Sequence, residues 1–432
     1  MIMKRLIAEA LLFLGISFLA SAQTGTWSGK IDVQGARLPL VFHLDEAGPV
    51  MDSPLQGVRG IPIEVERTAT GAITIRIPSI HATYEGLWVI RQIVGTFKQM
   101  GASFPLTLTP GEEKPSRPQT PAGPFPYVQE EVTFSHGDAV LKGTLVLPEG
   151  YTRQTPAFIM VTGSGLQNRD EEVFEHKPFA VIADALARAG VATLRYDDRG
   201  FGESTGDVIN CTTEDFKGDA LAGIRTLRER FDKVGVIGHS EGGTIALMLA
   251  AEQQADCIVS LSGMVLPGAE TLLWQNRLAL AAAGLPEETV GTYCGLLGDA
   301  FDALVNGKPL PSAVETDLPP ALKQNYADAM MQLQTPYMMH FLALDMRPLL
   351  NTISCPVLAL NGSRDRQVEP ESNLRALKAG LPAHPKTCIE TVEGVNHLFQ
   401  HCTTGASAEY NLIEETFAPE VLETIIRWIQ AL

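Results

Sequence analysis

The sequence predicts an α/β fold, a mostly parallel sheet covered by helices, preceded by a small antiparallel β domain. Three observations carry this reading. From Val128 onward short apolar runs alternate with helical stretches, whereas before Thr109 the runs are strand-like only. Between the two regions Pro115, Pro118, Pro121, Pro124 and Pro126 crowd together, as in a semi-rigid linker. Finally, the apolar run Val234–Ile237 is followed by Gly238-His-Ser-Glu-Gly242 and then by the helical run Thr244–Ala251, a strand, a sharp turn and a helix. The expected divisions are a β domain over 23–109, a linker over 110–127 and an α/β domain over 128–432. A chain of 432 residues is long enough for two domains.

The N-terminus carries Lys4-Arg5, an apolar segment from Leu6 to Ala20 and the motif Ala20-Ser-Ala22 ahead of Gln23. This pattern reads as a cleavable signal peptide over 1–22 and implies a periplasmic or secreted protein. The apolar core is shorter than the ~20 residues that a membrane span needs, and no lipid-accepting cysteine follows it. No stable membrane anchor is expected. A net charge of −17 opposes binding to nucleic acid, because the phosphate attraction that dominates such binding turns into repulsion.

In the β domain, strands are expected at Trp27–Val33, Leu38–Leu44, Ile73–Ile77, Val94–Phe97 and Phe104–Leu108. Gly25-Thr-Trp27 is echoed by Gly95-Thr-Phe97, consistent with a meander that closes on itself. His43 and His81 stand alone on strand-like segments and suit packing or surface positions better than ligation.

In the α/β domain, Glu131–Phe134 and Leu141–Leu147 read as an antiparallel pair, and Ala157–Val161, Val191–Arg195, Cys257–Leu261 and Pro356–Leu360 as further strands. Helices are expected over Pro178–Ala189, Thr213–Phe231 and Pro419–Ile429. About ninety residues with helical character separate Leu261 from Pro356, including Glu270–Ala283, Glu287–Val305 and Leu322–Leu333. An insertion there must begin and end beside the C-terminal edge of the sheet. It is therefore expected, over about 268–353, to be a helical cap whose apolar Tyr337, Met338 and Phe341 line a substrate pocket.

Ser240 on the strand-to-helix turn is the candidate nucleophile. A serine hydroxyl is a weak nucleophile near neutral pH; it needs a histidine to take its proton, and that histidine needs a carboxylate to fix its tautomer. Asp365 follows the strand Pro356–Leu360, and His397 follows the stretch beginning at Glu390, so both fall on loops at the same sheet edge as Ser240. The oxyanion donors are expected to be the backbone N–H groups of Glu241 and of Ser164, the latter in the loop Thr162–Asp170. Glu369 and Asp345 are the competing acids, and His239 is expected to support rather than react. His397 and His401 are spaced as a helical metal pair, but the glutamate of H-E-x-x-H is missing; neither metal nor cofactor is expected. The six cysteines form no dense disulfide framework, and a bridge between Cys388 and Cys402 is left open.

Gly163-Ser-Gly165 with Arg169-Asp170, then Tyr196–Ser204, Gly238–Gly243, Gly362-Ser-Arg-Asp365 and Gly394-Val-Asn-His397 together resemble the secreted or periplasmic bacterial carboxylesterases of the α/β-hydrolase superfamily. The resemblance covers roughly 128–432 and implies a triad of Ser240, Asp365 and His397. Thr162 stands where many relatives have histidine, and the first hundred residues resemble a β domain found ahead of some of these esterases. The implied activity is hydrolysis of small acyl or aryl esters through an acyl-enzyme. A serine peptidase or acyl-aminoacyl hydrolase would use the same triad; a thioesterase fits export poorly, and a non-catalytic binding protein would not need all three residues. The sequence sets neither the acyl and alcohol groups nor an oligomeric state.

Overall fold

Two compact units divide the chain, one up to Ser116 and one from Arg117. The computed structural model describes residues 24–432 apart from 34–35, 46–47, 55–57, 69 and 113–115; the expected signal peptide lies outside the described residues.

Among the described residues the first unit forms nine strands, most of them from alternating apolar residues: β1 (Thr26–Val33), β2 (Ala36–His43), β3 (Val50–Ser53), β4 (Val58–Pro62), β5 (Glu64–Arg67), β6 (Ala72–Ile77), β7 (Ala82–Val89), β8 (Gln92–Gln99) and β9 (Ala102–Pro110). They form one antiparallel sheet in the order β4-β3-β2-β1-β9-β8-β7-β6-β5. The first strand thus pairs with the last. The echoed Gly95 lies on β8, one strand removed from that junction. Strands β3, β4, β5 and β7 were not expected; β4 and β5 are short and mostly exposed, so they carry little apolar alternation. Trp27, Phe42, Ile75, Tyr84, Phe97 and Leu108 fill the core. His43 is held between Thr26 and Asp52, each at 3.1 Å.

The second unit is built on an eight-stranded sheet. Its strands are β10 (Val128–His136), β11 (Ala139–Leu147), β12 (Ala157–Val161), β13 (Ala192–Tyr196), β14 (Val234–His239), β15 (Ile258–Leu261), β16 (Val357–Gly362) and β17 (Cys388–Val392). The order is β10-β11-β13-β12-β14-β15-β16-β17; the first two pairings are antiparallel and all others parallel. Strands such as β12 and β14 are buried along their whole length, as in a sheet covered on both faces. The covering helices are α1 (Pro178–Arg188), α2 (Thr213–Arg228) and α3 (Glu241–Ala251), with α8 (Pro370–Gly380) and α9 (Pro419–Gln430) following the insertion. The Thr212–Asp215 capping box starts α2, and α9 buries Val421, Ile425 and Ile429 on one face.

The insertion folds as four helices, α4 (Gly268–Ala282), α5 (Glu287–Val305), α6 (Pro320–Gln332) and α7 (Pro336–Ala343). Tyr293, Leu297, Phe301, Tyr326 and Met330 give it a core of its own.

Part of the expected linker is not free. The Arg117 guanidinium donates to the carbonyls of Phe174, Asn411 and Ile413, while Gln119 bonds the backbone of Thr416 and Phe417. These side chains hold residues 117–119 on the second unit, a connection that proline content does not report.

Candidate active site

Ser240 sits between β14 and α3 with φ 54° and ψ −119°, a conformation that L-residues other than glycine adopt only under constraint. The neighbouring glycines supply the constraint. A Cβ on Gly238 would fall 1.9 Å from the Gly242 carbonyl oxygen, and one on Gly242 would fall 2.0 Å from that of Val161. The turn therefore closes this tightly only with hydrogen at both positions. Ten of the eleven residues of α3 are buried, so the helix behind the serine is fixed in the middle of the unit.

Asp365 lies after β16 and His397 after β17, and both are 3% exposed. The Asp365 Oδ2 is 2.7 Å from His397 Nδ1. Its Oδ1 accepts from the N–H groups of Gln367 at 2.7 Å and Val368 at 3.0 Å. Two backbone donors thus orient the carboxylate, which in turn fixes a proton on His397 Nδ1. Ser240 and His397 line the same cavity, of about 410 Å³.

Ser164 and Glu241 line that cavity as well. The N–H of Gly163 is taken by the Glu171 carboxylate at 2.8 Å; among the described residues the Ser164 and Glu241 N–H groups have no such partner. The Glu241 side chain is engaged separately, by the hydroxyls of Thr213 at 2.7 Å and of Tyr337. Burial and the Glu241 charge push the Tyr337 phenol well above its ordinary pKa, so it remains a donor. On α7, Tyr337, Met338 and Phe341 border the cavity, while Met338, Met339 and Leu342 pack into the insertion's core.

The competing acids lie elsewhere. Asp345 pairs with Arg347, and Glu369 caps α8 by accepting from Glu371 and Ser372. His401 is exposed between Glu415 and Glu420, each at 2.9 Å. Cys388 and Cys402 are free thiols rather than a bridge; the first donates to Glu390, and the second lies 3.6 Å from the Gly394 carbonyl oxygen.

Two buried features escaped the sequence. Glu171 joins Gly163 to His239, contacting His239 Nδ1 at 2.9 Å. His176 is buried between the Thr416 hydroxyl and the Tyr410 carbonyl, both at 2.9 Å, and burial lowers its pKa to about 4. An acidic residue beside Arg169-Asp170 was visible, but nothing local marks its partner 68 residues away.

The family model described as serine aminopeptidase, S33, matches residues 175–401, more than half of the 432-residue chain. Over 294 residues the chain is 25% identical to Esterase EstD of Thermotoga maritima, an alignment covering 67% of this chain and spanning only 65% of that esterase's length. Among solved structures, the Pyrococcus furiosus esterase Pf2001 aligns with 16% identity and a TM-score of 0.45, covering 74% of this chain and 99% of that one. Est1E from Butyrivibrio proteoclasticus, with ferulic acid bound, aligns with 18% identity and a TM-score of 0.42 over 69% of this chain and 98% of that one. With its mixed eight-stranded sheet, strand–turn–helix serine and helical insertion, the chain belongs to the serine aminopeptidase S33 family of α/β-hydrolases.

Proposed function

We propose that this protein is a serine carboxylesterase acting on small acyl or aryl esters. The observation that carries the proposal is the Asp365–His397 pair at 2.7 Å, whose histidine lines the same cavity as the constrained Ser240. In this reading Ser240 Oγ attacks the ester carbonyl carbon while His397 Nε2 takes its proton, and the carbonyl oxygen gains the negative charge. The N–H groups of Ser164 and Glu241 stabilise that charge, the latter at the N-terminus of α3. His397 then passes its proton to the departing alkoxide as the tetrahedral carbon collapses to an acyl-serine. Water, deprotonated by the same imidazole, repeats the sequence and releases the acid.

The ester preference is supported by the resemblance to Esterase EstD and by the cavity itself. An aminopeptidase, the activity in the family's description, needs an anionic group free to take the substrate's ammonium. Among the described residues, Glu171 and Glu241 are the carboxylates bordering the cavity, and both are engaged, by Gly163 and His239 and by Thr213 and Tyr337. The N-terminal pattern supports export to the periplasm or beyond. No helix among the described residues is long and apolar enough to cross a membrane.

The test is a hydrolysis screen of p-nitrophenyl esters of increasing chain length beside amino-acyl p-nitroanilides. Turnover of short esters with the anilides inert supports the proposal. Faster turnover of the anilides would replace it with the peptidase reading.

A further inference from the structure

Beside the three candidate catalytic residues lies a second acid–histidine pair that the reaction sequence leaves without a task. Glu171 is 3% exposed and His239 6%. Glu171 Oε1 accepts the Gly163 N–H at 2.8 Å and lies 2.9 Å from His239 Nδ1. The other ring nitrogen, Nε2, lies 2.9 Å from the backbone carbonyl of His397. A carbonyl can only accept, so Nε2 carries a proton. The Nδ1 contact then requires a second proton shared with Oε1. Burial works against a charged imidazole, but the Glu171 charge and the two hydrogen bonds outweigh it and hold His239 above its ordinary pKa.

The pair joins three separate segments. Gly163 precedes Ser164 in the oxyanion loop, and that loop is packed on the nucleophile: a Cβ on Gly163 would lie 3.1 Å from that of Ser240. His239 immediately precedes Ser240, and its ring centroid is 4.8 Å from that of His397. Glu171 itself has φ 52°, in the left-handed region that a non-glycine residue keeps only when its surroundings impose it. Burying an ion pair costs desolvation, and an apolar pair of similar volume often leaves a fold no less stable. Stability alone is therefore a poor reason for this arrangement.

We propose that Glu171 and His239 are positioning residues of the hydrolytic reaction, a buried pair that sets the oxyanion loop and the His397 backbone relative to Ser240. This rests on the serine-hydrolase reading given above. Neither side chain exchanges a proton with substrate. Glu171 fixes the Thr162–Gly163 peptide and with it the approach of the Ser164 N–H, while His239 holds the loop from which His397 projects.

The test uses the full chain with Glu171→Gln, His239→Gln and the double variant, measuring kcat and KM on a turned-over p-nitrophenyl ester, the thermal midpoint, and inhibition by a trifluoromethyl ketone. That ketone adds to the serine and places an oxyanion in the hole. Glu171→Gln keeps an acceptor for Gly163 but removes the charge, and His239→Gln keeps a donor for the His397 carbonyl. Positioning predicts a fall in kcat of about a hundredfold, since misplacement of about 1 Å costs this much. KM should stay within about threefold, ketone affinity should fall with kcat, and the double variant should lose little more than the worse single one, as residues acting as a unit do. A folded Glu171→Gln protein that keeps more than about a tenth of wild-type kcat, or losses that multiply in the double variant, overturns the proposal. If Glu171→Gln does not fold, His239→Gln decides by the same readings; if neither folds, the pair is structural and the proposal fails. Ser240→Ala is run alongside: activity in that variant defeats the serine-hydrolase reading itself, whereas an inactive Ser240→Ala beside wild-type-like pair variants defeats only the positioning role.

Discussion

Replacing Asp365 by asparagine tests the electronic logic of the site with almost no change in shape. Its Oδ1 accepts two backbone N–H groups, from Gln367 and Val368, so an amide at this position must place its oxygen there. The NH₂ is then forced to occupy the place of Oδ2, 2.7 Å from His397 Nδ1. Two donors cannot face each other across that distance; His397 must therefore present its Nδ1 lone pair and move its proton to Nε2. An imidazole in that tautomer cannot accept the Ser240 proton. The expected loss in kcat is up to ~10⁴, equivalent to about 5 kcal/mol of transition-state stabilisation, with KM nearly unchanged. Steady-state hydrolysis of a p-nitrophenyl ester measures both constants, and a melting curve checks that the variant is folded. A folded Asp365→Asn enzyme losing less than about tenfold would refute the tautomer argument.

Two further outcomes follow from the same geometry. Met338 borders the cavity from α7, so Met338→Ala should change the ratio of kcat/KM between a short and a longer acyl ester by about tenfold, since one methylene in such a pocket is worth ~1–3 kcal/mol; an unchanged ratio would make the insertion a structural element only. Phe341→Ala is the less clean variant, because truncating this 9%-exposed ring also costs about 3–5 kcal/mol of packing. His176, lowered from 6.5 to about 4, binds its proton more weakly folded than unfolded. It contributes stability that is present above pH 6.5 and is lost as pH falls through about 4. The urea midpoint of His176→Gln should therefore fall less than that of wild type between about pH 8 and pH 4.5, and equal falls would show that His176 does not titrate as its burial demands.

How much of this was legible depended on range. Strands β12, β14 and β16 announce themselves because strands buried on both faces carry apolar runs, and Ser240, Asp365 and His397 stand out as candidates because each follows such a run or a strand-like one. Three of the insertion's four α-helices were readable from local sequence to within two residues at their ends, the expected Glu287–Val305 helix forming over those residues, whereas α7 showed only as an apolar segment. The strands β4 and β5 were not legible, since exposed four- and five-residue segments carry no apolar period. Nor were the ties that complete the site. Glu171 meets His239 across 68 residues, His239 meets His397 across 158, and Arg117 reaches Ile413 across 296. Such pairings are decided by the folded sheet edge, which brings the loops together, and leave no trace in composition or spacing.

Ser240, activated by His397, is the proposed nucleophile. Incubating the wild-type protein with a fluorophosphonate and locating the adduct by peptide mass spectrometry tests it most directly. One phosphonyl group is expected, on the peptide containing Gly238–Gly242, with labelling abolished in Ser240→Ala and strongly slowed in Asp365→Asn. An adduct on another serine, or undiminished labelling of Ser240→Ala, would contradict it.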